Sequence, residues 1–407
     1  MSVAGDKLKR VLSTLLVLIS LFAFFAGFAG FAGCTGEQER YFVEFSLSEN
    51  FYVDGEPLSS RAHAALEREI GGLLNEIEDA VSVERGDSDV SCINAAAAGE
   101  EVVVSDCTFE MLTLAKQYFS RTGGAFSAAL YGLSELWGFT PEFEGRYTLP
   151  RPEPSEEEIS AALSASDFED IVLREGNVVV KRNADTRIDL GGIAKGYMSD
   201  AAAELIRAKY EGSALDGYLK VMSNTVLFGE NADKGRGWTS SVENPRVLTT
   251  GVTEALYAKD LSDVAISCSA DTYRFYVYDG RIYSHIIDGS TGKPSSNGII
   301  CICVFVPLSV TNAGAAADAL STAGYCMPLT QALDLYSSLA EEGVSAVVIC
   351  ADFKYYVTGG ADILGREEFG QTGEVFVRAE IEDASDDVID CEQELEYIRK
   401  VEEYTAR

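Results

Sequence analysis

Three short segments carry residues whose types and spacing suit phosphate and metal chemistry. The first runs Ile188-Asp189-Leu190-Gly191-Gly192-Ile193-Ala194-Lys195-Gly196-Tyr197 and reads as a strand, a Gly-Gly turn and a helix start. Two glycines let backbone approach a ligand closely, and helix N-terminal amides beside a lysine suit a phosphate. Generic Gly-Gly turns before helices are also common. The second segment, Ser284 to Pro294, sets His285 and Asp288 on a turn after a strand. A lone histidine is more often structural than catalytic, although its place beside Asp288 and Thr291 narrows that margin. The third, Ala315 to Ala323, puts Asp318 and Thr322 four residues apart, on one face of a helix. A carboxylate and a hydroxyl there offer the hard oxygen ligands Mg²⁺ takes. The plain alternative is a solvated or capping aspartate on an alanine-rich helix.

The elements that must position these segments belong to an ordinary globular chain. Its 407 residues are 47% hydrophobic and 24% charged, which rules out wholesale disorder and allows a large core. Sixty-five acidic against 32 basic side chains give a net charge of −33. Free nucleic acid would be repelled over most of such a surface, so no nucleic-acid partner is expected. Two histidines, His63 and His285, are too few for a multi-histidine metal centre. Nine cysteines occur without a Cys-x-x-Cys pair; their spacing shows neither a zinc site nor a redox pair, and Cys301 and Cys303 read as core or strand residues.

Apolar periodicity predicts helices over 60–80, 107–121 (Thr108 as cap), 195–210 and 315–324, with another opening at Ser155. Strands are expected over 172–181, 219–228, 273–279 and 299–306, with a closing pair at 344–350 and 355–358. His63 reads as a solvated helix residue without chemistry. The mixture lacks a regular βαβ repeat and argues for an α+β (mixed α/β) fold. Beyond 370 the chain turns acidic, a solvated appendage or a short amphipathic helix. At the other end, Lys7, Lys9 and Arg10 precede an apolar run from Val11 to Gly33 that closes on Phe31-Ala32-Gly33-Cys34. A basic flank, an apolar stretch and small residues form a signal peptide, and the cysteine after them resembles the bacterial lipobox. Residues 1–33 are then the leader, lipidated Cys34 opens a linker over 34–41, and the body lies outside the cytoplasmic membrane. An uncleaved anchor helix is the alternative.

Taken in order, the motifs resemble the ApbE family, the FAD:protein FMN transferases. Asp189–Tyr197 resembles its DLGGIAKGY, His285–Pro294 its HIIDP-x-TG-x-P, and Ala317–Ala323 its ADAL-x-TA helix. Ser88 to Asn94 is similar to S-D-I-S-x-x-N. Thr122 to Phe126, followed by Leu136-Trp137-Gly138-Phe139, is similar to T-D-G-A-F and LWGF. Trp238 to Pro245 is similar to W-x-x-x-I-E-x-P. The resemblance covers about residues 42–365 and leaves 366–407 as an acidic extension.

The resemblance implies the family's fold, with two packed subdomains, and binding of FAD with Mg²⁺ against its diphosphate. FMN passes to a threonine or serine hydroxyl of an acceptor, a flavoprotein subunit of a membrane redox complex, and AMP is released. It also implies residue roles. Gly192 offers a backbone carbonyl to the metal, Asp318 and Thr322 side-chain oxygens, with Ser321 beside them. Ala125, Phe126, Ser127, Asp189, Lys195 and Ile287 contact FAD. His285 and Asp318 are the catalytic pair. The family pattern breaks at Ser127-Ala128-Ala129, at Met222-Ser223 where two glycines are usual, at Cys268-Ser269-Ala270-Asp271, at Gly289 and at Glu84. All five lie near the expected flavin pocket. They favour, as the alternative, an FAD-binding lipoprotein or scaffold without transferase activity; hydrolysis of FAD by water is a further variant.

Overall fold

The structure, a computed structural model, describes residues 43–140, 151–386 and 391–405. The leader, Cys34 and the linker to 41 lie outside the described residues. Its centre is a strand that must be buried on both faces. Ile299–Pro307 is apolar at almost every position, and its first eight residues are all buried. Alternation sends Ile302, Val304 and Val306 into one apolar cluster and Cys301, Cys303 and Phe305 into another.

Around it a ten-stranded sheet runs in the order Val377–Arg378, Lys354–Thr358, Ser345–Cys350, Ile299–Pro307, Val264–Ala270, Asn224–Phe228, Leu215–Val221, Tyr52–Val53 and Glu56–Pro57. Phe45–Leu47 also pairs with Leu215–Val221. The pairings are antiparallel except the edge pair formed by Val377–Arg378. One face carries the helices Ser60–Val81, Ala194–Lys209, Ala313–Cys326 and Leu329–Leu339. The other is covered by a smaller sheet of Asp362–Leu364, Glu254–Leu261 and Trp238–Glu243. This is the α+β arrangement. A smaller cluster of Leu133, Trp137, Ile159, Tyr276, Tyr283 and Ile287 joins the helices Tyr131–Trp137 and Glu156–Ser164 to a hairpin. Among the described residues no helix is long and apolar enough to cross a membrane.

Several expectations need correction. The run 219–228 is two strands joined at Met222-Ser223, and 172–181 is likewise a hairpin of Ile171–Arg174 with Val178–Lys181. Non-glycine residues at positive φ, Met222 (51°) and Asn177 (57°), make the turns that a strand reading passes over. Met222, where the family pattern usually has a glycine, takes this positive φ and is 49% exposed. The helix expected from 107 spans Asp106–Arg121 and is capped by Ser105, while Thr108 is buried and donates to Asp89 at 2.8 Å. His63 is not simply solvated: its Nε2 lies 2.8 Å from the Ser48 carbonyl. Cys268 and Cys303 sit opposite each other on adjacent strands, Cα atoms 4.2 Å apart, and are joined by a disulfide. Register, not spacing, makes that pair.

A close helix approach sets the site. Ala194–Lys209 crosses Ala313–Cys326 at Gly196, where a Cβ would stand 2.2 Å from the Gly314 carbonyl oxygen. The obstacle is backbone, so nothing flexible can yield. Gly196→Ala is expected to cost about 3 kcal/mol in urea unfolding, the upper range for overpacking. Gly72→Ala, on the open side of Ser60–Val81 with nothing within 4 Å, should be neutral or slightly stabilising. Equal stabilities for the two variants would refute the packing account.

Candidate functional site

The Asp189 segment is fixed from behind before it meets anything. Asn94, at the end of the short helix Asp89–Ala95, donates to the Ile188 carbonyl at 2.9 Å and accepts the Ile188 N–H at 2.7 Å. The Asp189 N–H donates to the Ala128 carbonyl at 2.9 Å, which lays the 125–128 segment alongside. Asp189 Oδ1 then accepts the Gly191 N–H at 2.8 Å and bends the chain into the turn. Phe126 is buried, with its N–H held by the Thr122 hydroxyl at 3.1 Å; Ala125 and Ser127 flank it, half-buried.

Gly192 faces the Asp318 helix. A Cβ on it would lie 3.6 Å from Thr322 Oγ1 and 3.3 Å from the Phe126 ring. Helix Ala313–Cys326 starts without a cap of its own; Asp200 supplies one by accepting the Gly314 and Ala315 N–H groups at 2.7 and 2.8 Å. Burial pushes the Asp200 carboxyl up to about 6 despite those bonds.

Asp318 is 1% exposed and fully engaged. Oδ2 accepts the Gly196 N–H at 3.1 Å; Oδ1 accepts the Ser267 hydroxyl at 3.1 Å and lies 3.2 Å from Lys195 Nζ. Lys195 also donates to the Gly191 carbonyl at 2.6 Å. Ser321 and Ser269 hydroxyls pair at 2.8 Å, and Ser269 reaches Thr322 at 3.5 Å. One patch therefore holds a buried carboxylate, four hydroxyls and the Gly192 backbone, all oxygen donors and so fitted to a hard divalent cation.

His285 stands at the end of the hairpin Phe275–Tyr278 with Arg281–Ser284. Its N–H donates to the Arg274 carbonyl at 2.9 Å, and Nδ1 lies 3.1 Å from the same oxygen. A carbonyl only accepts, so Nδ1 carries the proton and Nε2 keeps its lone pair. Burial, with the charges of Arg274 and Lys195, pushes the imidazole down to about 3, so the ring is neutral near pH 7. Ile287, two residues on, accepts the Cys326 thiol at 3.4 Å and so ties this turn to the end of the Asp318 helix. Asp288 shapes the turn itself through the Ser290 N–H and the Thr291 hydroxyl, at 2.8 and 3.0 Å. Trp137 Nε1 donates to the Gly292 carbonyl at 2.8 Å, which docks the Leu136–Phe139 segment on the turn.

Sequence reasoning gave no role to Ser267, Ser269 or Asn224, although it placed the segment of Ser269 near the flavin pocket. The first two alternate on one face of Val264–Ala270, a period-2 signal that was readable. Asn224 is 1% exposed, and neither its Oδ1 nor its Nδ2 has a partner. Its strand pairs Thr225 with Ile266, so continuation of the register sets Asn224 beside Ser267. A buried amide without partners, next to the hydroxyl that holds Asp318, fits a polar ligand bound here.

Comparisons with known proteins bear on the family and the fold. Residues 43–348 match the sequence profile of the ApbE family. The chain is 31% identical over 258 residues to an FAD:protein FMN transferase of Vibrio cholerae, covering 63% of this chain and 72% of that one. It is 30% identical over 312 residues to an FAD:protein FMN transferase of Treponema pallidum, covering 74% and 81%. The solved flavin transferase ApbE from Vibrio cholerae superposes with a TM-score of 0.61 at 26% identity, over 77% of this chain and 91% of the other.

Proposed function

The chain belongs to the ApbE family, and from that premise we propose that it is an FAD:protein FMN transferase, dependent on Mg²⁺ and releasing AMP. The observation that carries the reading is the oxygen cluster of Asp318, Ser321, Thr322 and Gly192 within one patch that also holds Lys195 and Asp189. Mg²⁺ bound by those oxygens would neutralise diphosphate charge, the main requirement of phosphoryl transfer.

The residues divide the remaining work. Lys195 holds the diphosphate, moving between Asp318 and the phosphate oxygens. Asn224 donates or accepts at the polar edge of the ligand. The segment Ala125–Ser127, Asp189 and Ile287 line the nucleotide. His285 presents the free Nε2 lone pair to the hydroxyl of an acceptor threonine or serine. The proton passes to Nε2, whose low affinity for it the negative charge of the bound diphosphate raises, as oxygen bonds to the FMN phosphorus. The bond from that phosphorus to the bridging oxygen breaks, and AMP departs with that oxygen.

We place the protein on the outer face of the bacterial cytoplasmic membrane, held by lipid on Cys34, with the acceptor a flavoprotein subunit of a membrane redox complex. The basic flank, apolar run and small-residue-plus-cysteine junction support this.

The test uses residues 35–407 with FAD, Mg²⁺ and a threonine-bearing flavoprotein subunit. AMP release with a matching FMN mass gain on the acceptor is expected, both abolished by EDTA. FAD bound without AMP release would sink the transferase reading in favour of a binding protein. AMP released at the same rate without acceptor would make the protein a hydrolase.

A further inference from the structure

We infer that Glu394, on the C-terminal helix Glu392–Thr405, is a positioning residue for His285 and acts through Arg246 and Asp271. The inference rests on the proposed flavin-transfer role of His285. The helix lies beyond the part of the chain that matches the family, which ends at 348. It is docked rather than merely solvated. Tyr397, Ile398 and Val401 are buried against Val277, with Phe275 and Ile282 packed beside them. These last three belong to the hairpin whose second strand ends at Ser284, one residue before His285.

A chain of charges makes the second attachment. Arg246 has no exposed surface. One edge of its guanidinium donates to both oxygens of Glu394 at 2.8 Å, and the other to both oxygens of Asp271 at 2.7 and 2.8 Å. Its plane lies over the Tyr397 ring, 4.4 Å from the centroid. Asp271 opens the loop that leads to Arg274, and the Arg274 carbonyl takes both His285 contacts. The C-terminal helix therefore fixes the carbonyl that holds the imidazole through the Asp271 loop, while its apolar packing on the hairpin anchors the helix itself.

Stability alone does not call for this arrangement, because apolar residues of similar size commonly replace a buried ion triad at no loss. What a doubly bidentate guanidinium supplies is fixed direction. The hydrogen bond from Nδ1 keeps the Nε2 lone pair aimed, and a carbonyl displaced by a fraction of an ångström would let the ring turn.

Histidine labelled with ¹⁵N reports this directly, because His63 and His285 are the only imidazoles in the chain. In the full mature chain, Glu394→Gln is expected to broaden or shift the His285 Nδ1–H signal and leave His63 unmoved. AMP release should fall about tenfold in kcat, with KM for FAD changed less than twofold. Glu394→Asp, which keeps the charge, should recover most of both, and serves alone if Glu394→Gln does not fold. Val401→Ala on the same helix removes packing and spares the ion triad, so it should lower the melting temperature without moving His285. The inference is overturned if folded Glu394→Gln keeps wild-type His285 signals, or if Val401→Ala shifts them as much. The spectra need no turnover, so an inactive wild type would overturn the transferase reading while the positioning of His285 is still tested.

Discussion

Asp318→Asn is expected to lower AMP release from FAD by about a thousandfold, roughly 4 kcal/mol of transition-state stabilisation, while the protein stays folded. The two halves of that expectation have separate causes. Activity falls because the only buried carboxylate in the oxygen patch becomes a neutral amide. Ser321, Thr322 and the Gly192 backbone supply no charge to replace it. Folding survives because the amide has nearly the same shape. Its oxygen can accept the Gly196 N–H, and the Ser267 hydroxyl can rotate to accept from the new NH₂. Lys195 loses its ion pair but keeps the Gly191 carbonyl, and its half-buried chain reaches solvent. The measurement pairs AMP release with Mn²⁺ titration by electron paramagnetic resonance. Metal affinity should fall at least tenfold with the melting curve close to wild type. Turnover within tenfold of wild type would remove Asp318 from the catalytic site.

How much of this was legible follows from how far apart the interacting residues are in the chain. Asp318 and Thr322 share a helix face at four-residue spacing, and Asp189, Gly192 and Lys195 occupy a single turn, so pattern alone could nominate them. His285 could be nominated, but not its tautomer, because the carbonyl that sets it belongs to Arg274, eleven residues away across a hairpin. Ser267 and Ser269 look like ordinary polar positions until the strand is laid under Asp318. Asn224 was hidden by a turn built from Met222 at positive φ, where composition argued for an unbroken strand. The acidic tail showed helical periodicity, but its docking depends on Glu394 meeting Arg246 across 148 residues. No local signal announces such a pair. Local contacts are readable because chain geometry enforces them; long-range ones exist only after the sheet and helices have set their registers.

Arg246→Ala is expected to destabilise the protein by about 3–5 kcal/mol, the cost of stripping one partner from a buried ion pair. Against the 5–15 kcal/mol typical of folded domains this is a large share. Asp271 and Glu394 would face each other without the guanidinium that separates them, and Tyr397 would lose the plane above its ring. In the wild type, burial pushes the Glu394 carboxyl up while Arg246 pulls it down. Arg246 itself stays protonated: burial lowers its affinity for the proton, and Asp271 and Glu394 more than restore it. Without Arg246 only the upward influences, burial and the Asp271 charge, remain on Glu394. A carboxyl whose folded pKa lies above its unfolded value stabilises the fold at low pH and loses that contribution as pH rises through the folded pKa. The deficit of Arg246→Ala should therefore be largest at neutral pH and shrink toward the ordinary carboxylate range, about pH 4. A triple variant, Arg246→Met with Asp271→Asn and Glu394→Gln, removes all three charges and should recover most of the lost stability. Urea titrations at two pH values separate the explanations. If the triple variant is no better than Arg246→Ala, lost packing rather than stranded charge accounts for the damage.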